Sequence, residues 1–320
     1  MKNIPRLRFA HLPTPIEEMP RLSTALDGPR LFIKRDDQTG LAFGGNKTRK
    51  LEFLLAEAEA HKARTIITAG AVQSNHCRQT AAAAARFGMD CILVLYGEKP
   101  GQKSANLMLD ELFGAEIVWT DRDHRDEALN LAFTKAEAEG RHPYLAPYGG
   151  SSPTGALGYV FAMEEFVQQG LPVDWIVFAS SSGGTQSGMV LGAKLFGYKG
   201  KLMGISIDEP QAILQDRCAR LASESAVKLE ERAVFTSRDV IVNSEYCSAG
   251  YGVLTDLERE AIRLFAKTEG ILLDPVYTGR AAGGMIDLVR KGFFTRNQTV
   301  LFWHTGGTTA LFADQYQNQL

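Results

Sequence analysis

The segment Gly44-Gly-Asn-Lys-Thr-Arg-Lys-Leu-Glu52 sets three cations, Lys47, Arg49 and Lys50, at the start of a run with helical apolar spacing. The positive end of a helix disfavours cations, and local rules are broken most often at functional sites. Two explanations fit: the cations meet a bound anion, or one lysine works as a free amine. A lysine at a positive helix end loses part of its preference for the protonated form, as imine formation with an aldehyde requires. Lys47 is the candidate, because the glycines before it let a flat ligand approach. A basic surface cluster is the plain alternative.

Other segments offer complementary groups. In Ala69-Gly-Ala-Val-Gln-Ser-Asn-His-Cys-Arg-Gln-Thr80, Ser74 or Asn75 can cap a helix whose free amides would bind a carboxylate or phosphate. Capping alone also accounts for them, and an isolated His76 in the same turn reads as structural. In Phe178-Ala-Ser-Ser-Ser-Gly-Gly-Thr-Gln-Ser-Gly188, the backbone of Ser182, Gly183 and Gly184 with the Thr185 hydroxyl forms an anion nest at a helix start, for which phosphate is the expected guest. The loop matches neither the Walker pattern nor the dinucleotide fingerprint; a ligand-free turn is the alternative. Leu273-Asp-Pro-Val-Tyr-Thr-Gly-Arg280 and Phe302-Trp-His-Thr-Gly-Gly-Thr-Thr309 supply Tyr277, Thr278, Thr305 and Thr308. Neither holds a metal-ligand cluster or a Ser-His-carboxylate set, so no metal is expected. Tyr251, flanked by glycines, has the same flavour, although such a tyrosine also suits a packed turn.

These loops need elements to hold them. Short apolar runs at 31–34, 65–68, 91–95, 175–178, 202–207 and 300–303 predict buried strands, and 49–61, 75–87, 155–169, 188–196 and 256–268 predict helices. Their alternation implies an α/β fold, with open, twisted, mainly parallel sheets covered by helices and ligands bound at the carboxyl ends of strands. With 320 residues, two domains are expected: a smaller α/β unit at 48–157, and a larger one built from 1–47 and 158–320. The turn-rich stretch Tyr148-Gly-Gly-Ser-Ser-Pro-Thr-Gly155 is the expected crossing. Ten of the 31 glycines form five Gly-Gly pairs, at 44–45, 149–150, 183–184, 283–284 and 306–307. Four lie in or just beyond the segments above, and the pairs are expected to surround a flat ligand between the domains.

Composition excludes other classes. A net charge of -2, from 35 basic and 37 acidic residues without a like-charge block, argues against nucleic acid and anionic membranes as partners. No stretch reaches the length of a membrane span, and the first residues lack a secretory core, so a cytoplasmic protein is expected. The four cysteines, Cys77, Cys91, Cys218 and Cys247, lack CxxC spacing and read as reduced core thiols.

In this order the segments resemble the fold type II (tryptophan synthase β-like) pyridoxal-phosphate enzymes, and more closely the family of 1-aminocyclopropane-1-carboxylate deaminase and D-cysteine desulfhydrase. The runs Gly-Gly-Asn-Lys-x-Arg-Lys-Leu-Glu and Gln-Ser-Asn-His-x-Arg-Gln-Thr carry the resemblance most specifically. It implies a pyridoxal 5'-phosphate cofactor, with Lys47 forming the Schiff base and Asn75 bonding the phenolic oxygen. Ser74 would serve the substrate carboxylate or a proton, and Ser182 to Thr185 would hold the phosphate. Tyr277 would lie near ring and substrate with Tyr251 close by, and Thr308 would place a hydroxyl at the pyridine nitrogen. A homodimer is implied as well. Deaminases of this family resemble Val-Tyr-Glu-Gly and His-Leu-Gly-Gly where this chain has Thr278 and Thr305, so the desulfhydrase side is favoured. The implied activity is β-elimination from D-cysteine. L-cysteate sulfo-lyase is the alternative, for which Gln73, His76, Thr278 and Thr305 could face a sulfonate, and a non-catalytic cofactor-binding protein is the alternative of another class.

Overall fold

Near-continuous apolar runs are buried on both faces, and in the computed structural model, which describes all residues Met1–Leu320, they form the middle of two sheets. The strands are β1 (Ile16–Glu18), β2 (Arg30–Arg35), β3 (Thr65–Ala71), β4 (Asp90–Tyr96), β5 (Glu116–Thr120), β6 (Pro143–Leu145), β7 (Trp175–Ser180), β8 (Lys201–Ser206), β9 (Ile241–Asn243) and β10 (Thr299–His304). The larger sheet has the order β1-β2-β10-β7-β8-β9, and the smaller the order β5-β4-β3-β6. Only β1 runs antiparallel to its neighbour. All six expected strands are present. The four not foreseen, β1, β5, β6 and β9, lie at sheet edges, where the apolar run is short or mixed with polar residues.

The helices are α1 (Pro20–Leu26), α2 (Asn46–Ala60), α3 (Asn75–Arg86), α4 (Ala105–Leu112), α5 (Arg125–Ala138), α6 (Pro153–Gln168), α7 (Gly184–Phe196), α8 (Gln211–Lys228), α9 (Asp256–Glu269), α10 (Thr278–Arg290) and α11 (Asp314–Gln317). No helix is long and apolar enough to cross a membrane. The strands of the smaller sheet all fall between 65 and 145, but the expected unit edges at 48 and 157 fall inside α2 and α6. These helices touch so closely that a Cβ at Gly158 would lie 2.5 Å from the Arg49 carbonyl oxygen. A chain boundary drawn through that contact would cut two continuous helices.

One buried ion cluster fastens the start of α2. The Arg49 guanidinium bonds Asp36 at 2.8 and 2.9 Å and Glu165 of α6 at 2.9 Å. Lys34 of β2 donates to Glu165 at 2.5 Å and to the Thr14 carbonyl at 2.8 Å, and the Tyr159 hydroxyl donates to Asp36 at 2.6 Å. Burial works to raise the Asp36 carboxyl, but Arg49 and Lys34 outweigh it and bring its pKa down to about 2. The cation at position 49 therefore meets carboxylates of the chain itself, an explanation that a local reading of the helix start does not contain. Removing one partner of such a cluster strands the others, at a cost of roughly 3–5 kcal/mol. Arg49→Met should lower unfolding stability by about that amount in a urea titration; a loss below about 1 kcal/mol would show that the cluster is not a fastening.

Candidate active site

Lys47 stands in the first turn of α2, behind a loop that only glycine can form. Gly44 has φ 67° and Gly45 φ 125°, and a Cβ at Gly306 would lie 2.6 Å from the Gly45 Cα. Two glycine loops thus pack back to back, pinned by the bonds from Gly45 N to Asp36 O and from Asn46 N to Thr305 O, both 2.9 Å. Lys47 Nζ opens onto a cleft and donates to the Gly149 carbonyl at 2.9 Å. Burial brings its pKa down from 10.5 to about 8.

The cleft lies where the carboxyl ends of β3, β7 and β10 face the loop before α6. Its lining includes Lys47, Ser74, Asn75, His76, Ser182, Gly183, Thr185, Tyr251, Tyr277 and Thr305. Ser74 caps α3, accepting from Cys77 N at 3.2 Å. The amides that follow belong to a first turn and have no partner within their helix, as a carboxylate site requires. The buried Thr68 hydroxyl donates to the Ala146 carbonyl, so at 3.0 Å it accepts from His76 Nε2. His76 Nδ1 is left as an acceptor without a partner. Burial and the nearby lysines push the His76 pKa well below 6.5, so the ring is neutral.

At the opposite wall, Gly183, in a left-handed conformation at φ 89°, starts α7. Ser151 Oγ accepts from Gly184 N at 3.1 Å and lies 2.8 Å from Ser182 Oγ, while Asn46 Nδ2 donates to Thr185 Oγ1 at 3.0 Å. Lys50, 1% exposed, reaches the Gly149 carbonyl at 3.2 Å and Ser151 Oγ at 3.5 Å and pairs with no carboxylate. Burial, then Lys47, push its pKa well below the usual lysine value. A buried lysine without a carboxylate partner, beside hydroxyls and free helix amides, is a place where an anion would restore the charged amine. Ser151 was not foreseen, and Lys50 was foreseen only as one of three cations that a bound anion could meet. The signal for Lys50 was its spacing, since positions i and i+3 of a helix share a face; nothing local marks Ser151.

The tyrosines close the cleft. The hydroxyls of Tyr251 and Tyr277 are 2.7 Å apart, with ring centroids at 5.9 Å in an edge-on pair. Burial holds both phenols well above the usual range, so both stay protonated. Tyr148, which was also not foreseen, lines the same opening.

Four expected residues lie elsewhere, among them Gln73, which is engaged with the Ser104 carbonyl and the Asn106 amide. The Thr278 hydroxyl is fully buried and exchanges bonds with the Asp274 carboxylate and backbone, as part of the start of α10, rather than lining the cleft. Thr308 turns to the Leu272 carbonyl at 3.4 Å, outside the lining, and the cleft hydroxyl of that loop belongs to Thr305. Gly184 contributes its amide from behind the lining. The pair Gly283-Gly284 packs within α10 against Leu257 and Tyr246, away from the cleft, whereas Gly149 lines it.

An amine of lowered pKa beside a glycine-walled gap, facing an anion nest backed by a buried lysine without a carboxylate partner, fits pyridoxal phosphate at both its aldehyde and its phosphate. With two helix-covered sheets meeting at the cleft, this defines an α/β pyridoxal-phosphate enzyme of fold type II. The chain belongs to the pyridoxal-phosphate dependent enzyme family, whose model matches residues 7–306. It is similar to a solved ACC deaminase homologue at 37% identity and a TM-score of 0.90, over 99% of this chain and 97% of that one. A fungal L-serine ammonia-lyase from Rhizomucor miehei shares the fold at 17% identity, with a TM-score of 0.69 over 98% of this chain and 99% of that one. A hydrogen sulfide-producing enzyme from Fusobacterium nucleatum does so at 15% identity, with a TM-score of 0.65 over 92% and 96% of the two chains.

Two outcomes follow from the lysines. Lys50→Met should weaken apoprotein binding of pyridoxal phosphate by at least about tenfold, the effect of one charge-assisted hydrogen bond, and leave binding of pyridoxal, which lacks the phosphate, unchanged in a fluorescence titration. Because only the neutral amine attacks an aldehyde, the rate at which apoprotein gains visible absorbance from pyridoxal phosphate should climb with pH and level off above about 8. A climb continuing to the ordinary lysine value of 10.5 would show that burial does not tune Lys47.

Proposed function

We propose that the protein carries out a pyridoxal-phosphate-dependent β-elimination on a small amino acid, with D-cysteine as substrate and pyruvate, ammonia and hydrogen sulfide as products. One observation supports this above the rest: the cleft lining contains no Asp or Glu. Bound pyridoxal phosphate supplies an aldehyde for the substrate amine and a ring that accepts an electron pair. The chain does the remainder. Lys47 Nζ, half of it neutral near pH 8, takes the Cα proton as general base. Ser74 and the first-turn amides of α3 hold the substrate carboxylate. The Tyr277 phenol, bonded to Tyr251 and kept protonated by burial, serves as the donor to the leaving sulfur.

The acid-free lining also ranks the alternatives. Opening a cyclopropane ring by the family's route is associated with a glutamate where this chain has Thr278, and that hydroxyl is engaged with Asp274. A sulfonate leaving group calls for cationic or donor partners. His76 is neutral with a bare acceptor, and Gln73 is occupied by Asn106 and the Ser104 carbonyl. L-cysteate therefore stands second.

Purified holoenzyme should release pyruvate from D-cysteine faster than from L-cysteine, L-cysteate or 1-aminocyclopropane-1-carboxylate, and Lys47→Ala should abolish that release. Turnover of L-cysteate with none of D-cysteine would reverse the order, and turnover surviving in Lys47→Ala would remove the lysine from its role.

A further inference from the structure

Behind Asn75 lies a polar cluster that the proposed reaction does not use. Arg78 of α3 is fully buried, and no carboxylate comes within ion-pair distance of it. Its Nη1 donates to Asn75 Oδ1 at 3.1 Å, to Asn106 Oδ1 at 2.9 Å and to the Thr309 hydroxyl; its Nη2 donates to the Gly44 carbonyl at 3.0 Å. Asn106 Nδ2 gives Asn75 Oδ1 a second donor at 3.0 Å, and Thr309 Oγ1 donates to Asn106 Oδ1 at 2.6 Å.

The chemistry of these groups fixes the Asn75 amide. A guanidinium has donors only, so the atom of Asn75 that faces it must be the oxygen. The amide nitrogen is thereby turned away from the cluster, and it bonds no atom of the chain, while Asn75 lines the cleft. A Cβ at Gly307 would lie 2.8 Å from that nitrogen, so no side chain fits against it at this position. An amide whose oxygen is held by a buried cation is a stronger donor through its nitrogen, because each bond in such a chain polarises the next.

Two carboxyl groups, Asp110 and Asp274, lie near enough to act on the Arg78 charge, but its hydrogen bonds go to Asn75, Asn106, Thr309 and the Gly44 carbonyl. On α4, Asp110 is fully buried with both carboxyl oxygens unpartnered, and burial raises its pKa well above the usual value against the pull of the Arg78 charge. The Asp274 oxygens, before α10, accept from the amides of Val276, Tyr277 and Thr278 and from the Thr278 hydroxyl. Lys47 on α2 faces the cleft rather than the cluster, and the Cys77 thiol beside Arg78 is kept protonated by burial.

We propose that Arg78 is a positioning residue for the cofactor's phenolic oxygen: by holding the Asn75 amide from behind, it aims and strengthens the N–H that faces the cleft and keeps the phenolic oxygen ionised. The step is a single ionisation, in which the phenolic O–H yields a proton to solvent and the oxygen keeps the electron pair. The inference rests on the chain's membership of the pyridoxal-phosphate family and on the Asn75 contact implied by its resemblance, and not on which amino acid is the substrate.

The test is a substrate-free pH titration of the holoenzyme's visible absorbance, which reports the ionisation of the bound chromophore. Arg78→Met should raise the apparent pKa by at least about one unit, a tenfold change in ionisation. Arg78→Lys, which keeps the charge but loses the fork, should raise it less, and Asn75→Ala should raise it like Arg78→Met. If Arg78→Met does not load cofactor, Arg78→Lys decides. Arg78 variants titrating as wild type while Asn75→Ala shifts would overturn the inference and leave the Asn75 contact standing. An unmoved Asn75→Ala would remove that contact and the inference together.

Discussion

The Arg49 guanidinium, buried between Asp36 and Glu165, is the contact on which the arrangement depends. A buried charge stripped of its partner costs far more than a surface pair contributes. The segments that supply the partners therefore cannot drift apart: the stretch around Thr14, the end of β2, the start of α2 and the body of α6 are held at one point. Lys47 lies two residues before Arg49 on the same helix, so its reach into the cleft is set by this cluster. The back-to-back glycine loops at Gly45 and Gly306 finish the placement, since no side chain fits between them.

From that anchor follows a separation of charge. The carboxylates near the cleft are kept behind its walls, Asp36 by Arg49 and Asp274 by three backbone amides. Inside remains Lys47, with Lys50 just behind the lining, both with lowered pKa values, and no acid lines the cleft. Such a site prefers an anion at Lys50 and a reactive aldehyde at Lys47, and one phosphorylated aldehyde meets both demands. Its ionisable groups are a base and neutral donors, which suits proton removal at Cα better than chemistry that requires a carboxylic acid.

Much of the framework was legible. The central strands announce themselves because burial on both faces demands an unbroken apolar run, whereas β5 and β9 lie at edges and carry mixed patterns. The site was legible where its residues are consecutive, as in Ser182 to Thr185 or Ser74 to His76, since a turn that ends a strand and starts a helix must show its amides to the cleft. It was not legible where a residue works through a remote neighbour. Lys50 acquires meaning from Ser151 and Gly149, and Arg78 from Asn106 and Thr309, contacts separated by 28 to 231 positions along the chain.

The threonines mark the limit most plainly. Local chemistry shows that the loops after Tyr277 and His304 carry hydroxyls, and backbone pattern shows that both loops belong at one end of a parallel sheet. Which hydroxyl enters the cleft depends on what else competes for it. Asp274 captures Thr278, the Leu272 carbonyl captures Thr308, and Thr305 is left to face inward. Residue types and their order along the chain thus determined the fold, the cofactor class and the place of Lys47 at the helix start, because each rests on short-range spacing. The pairing of charges and hydroxyls was decided by packing, because a polar group in a dry interior takes whichever partner the fold brings within 3 Å.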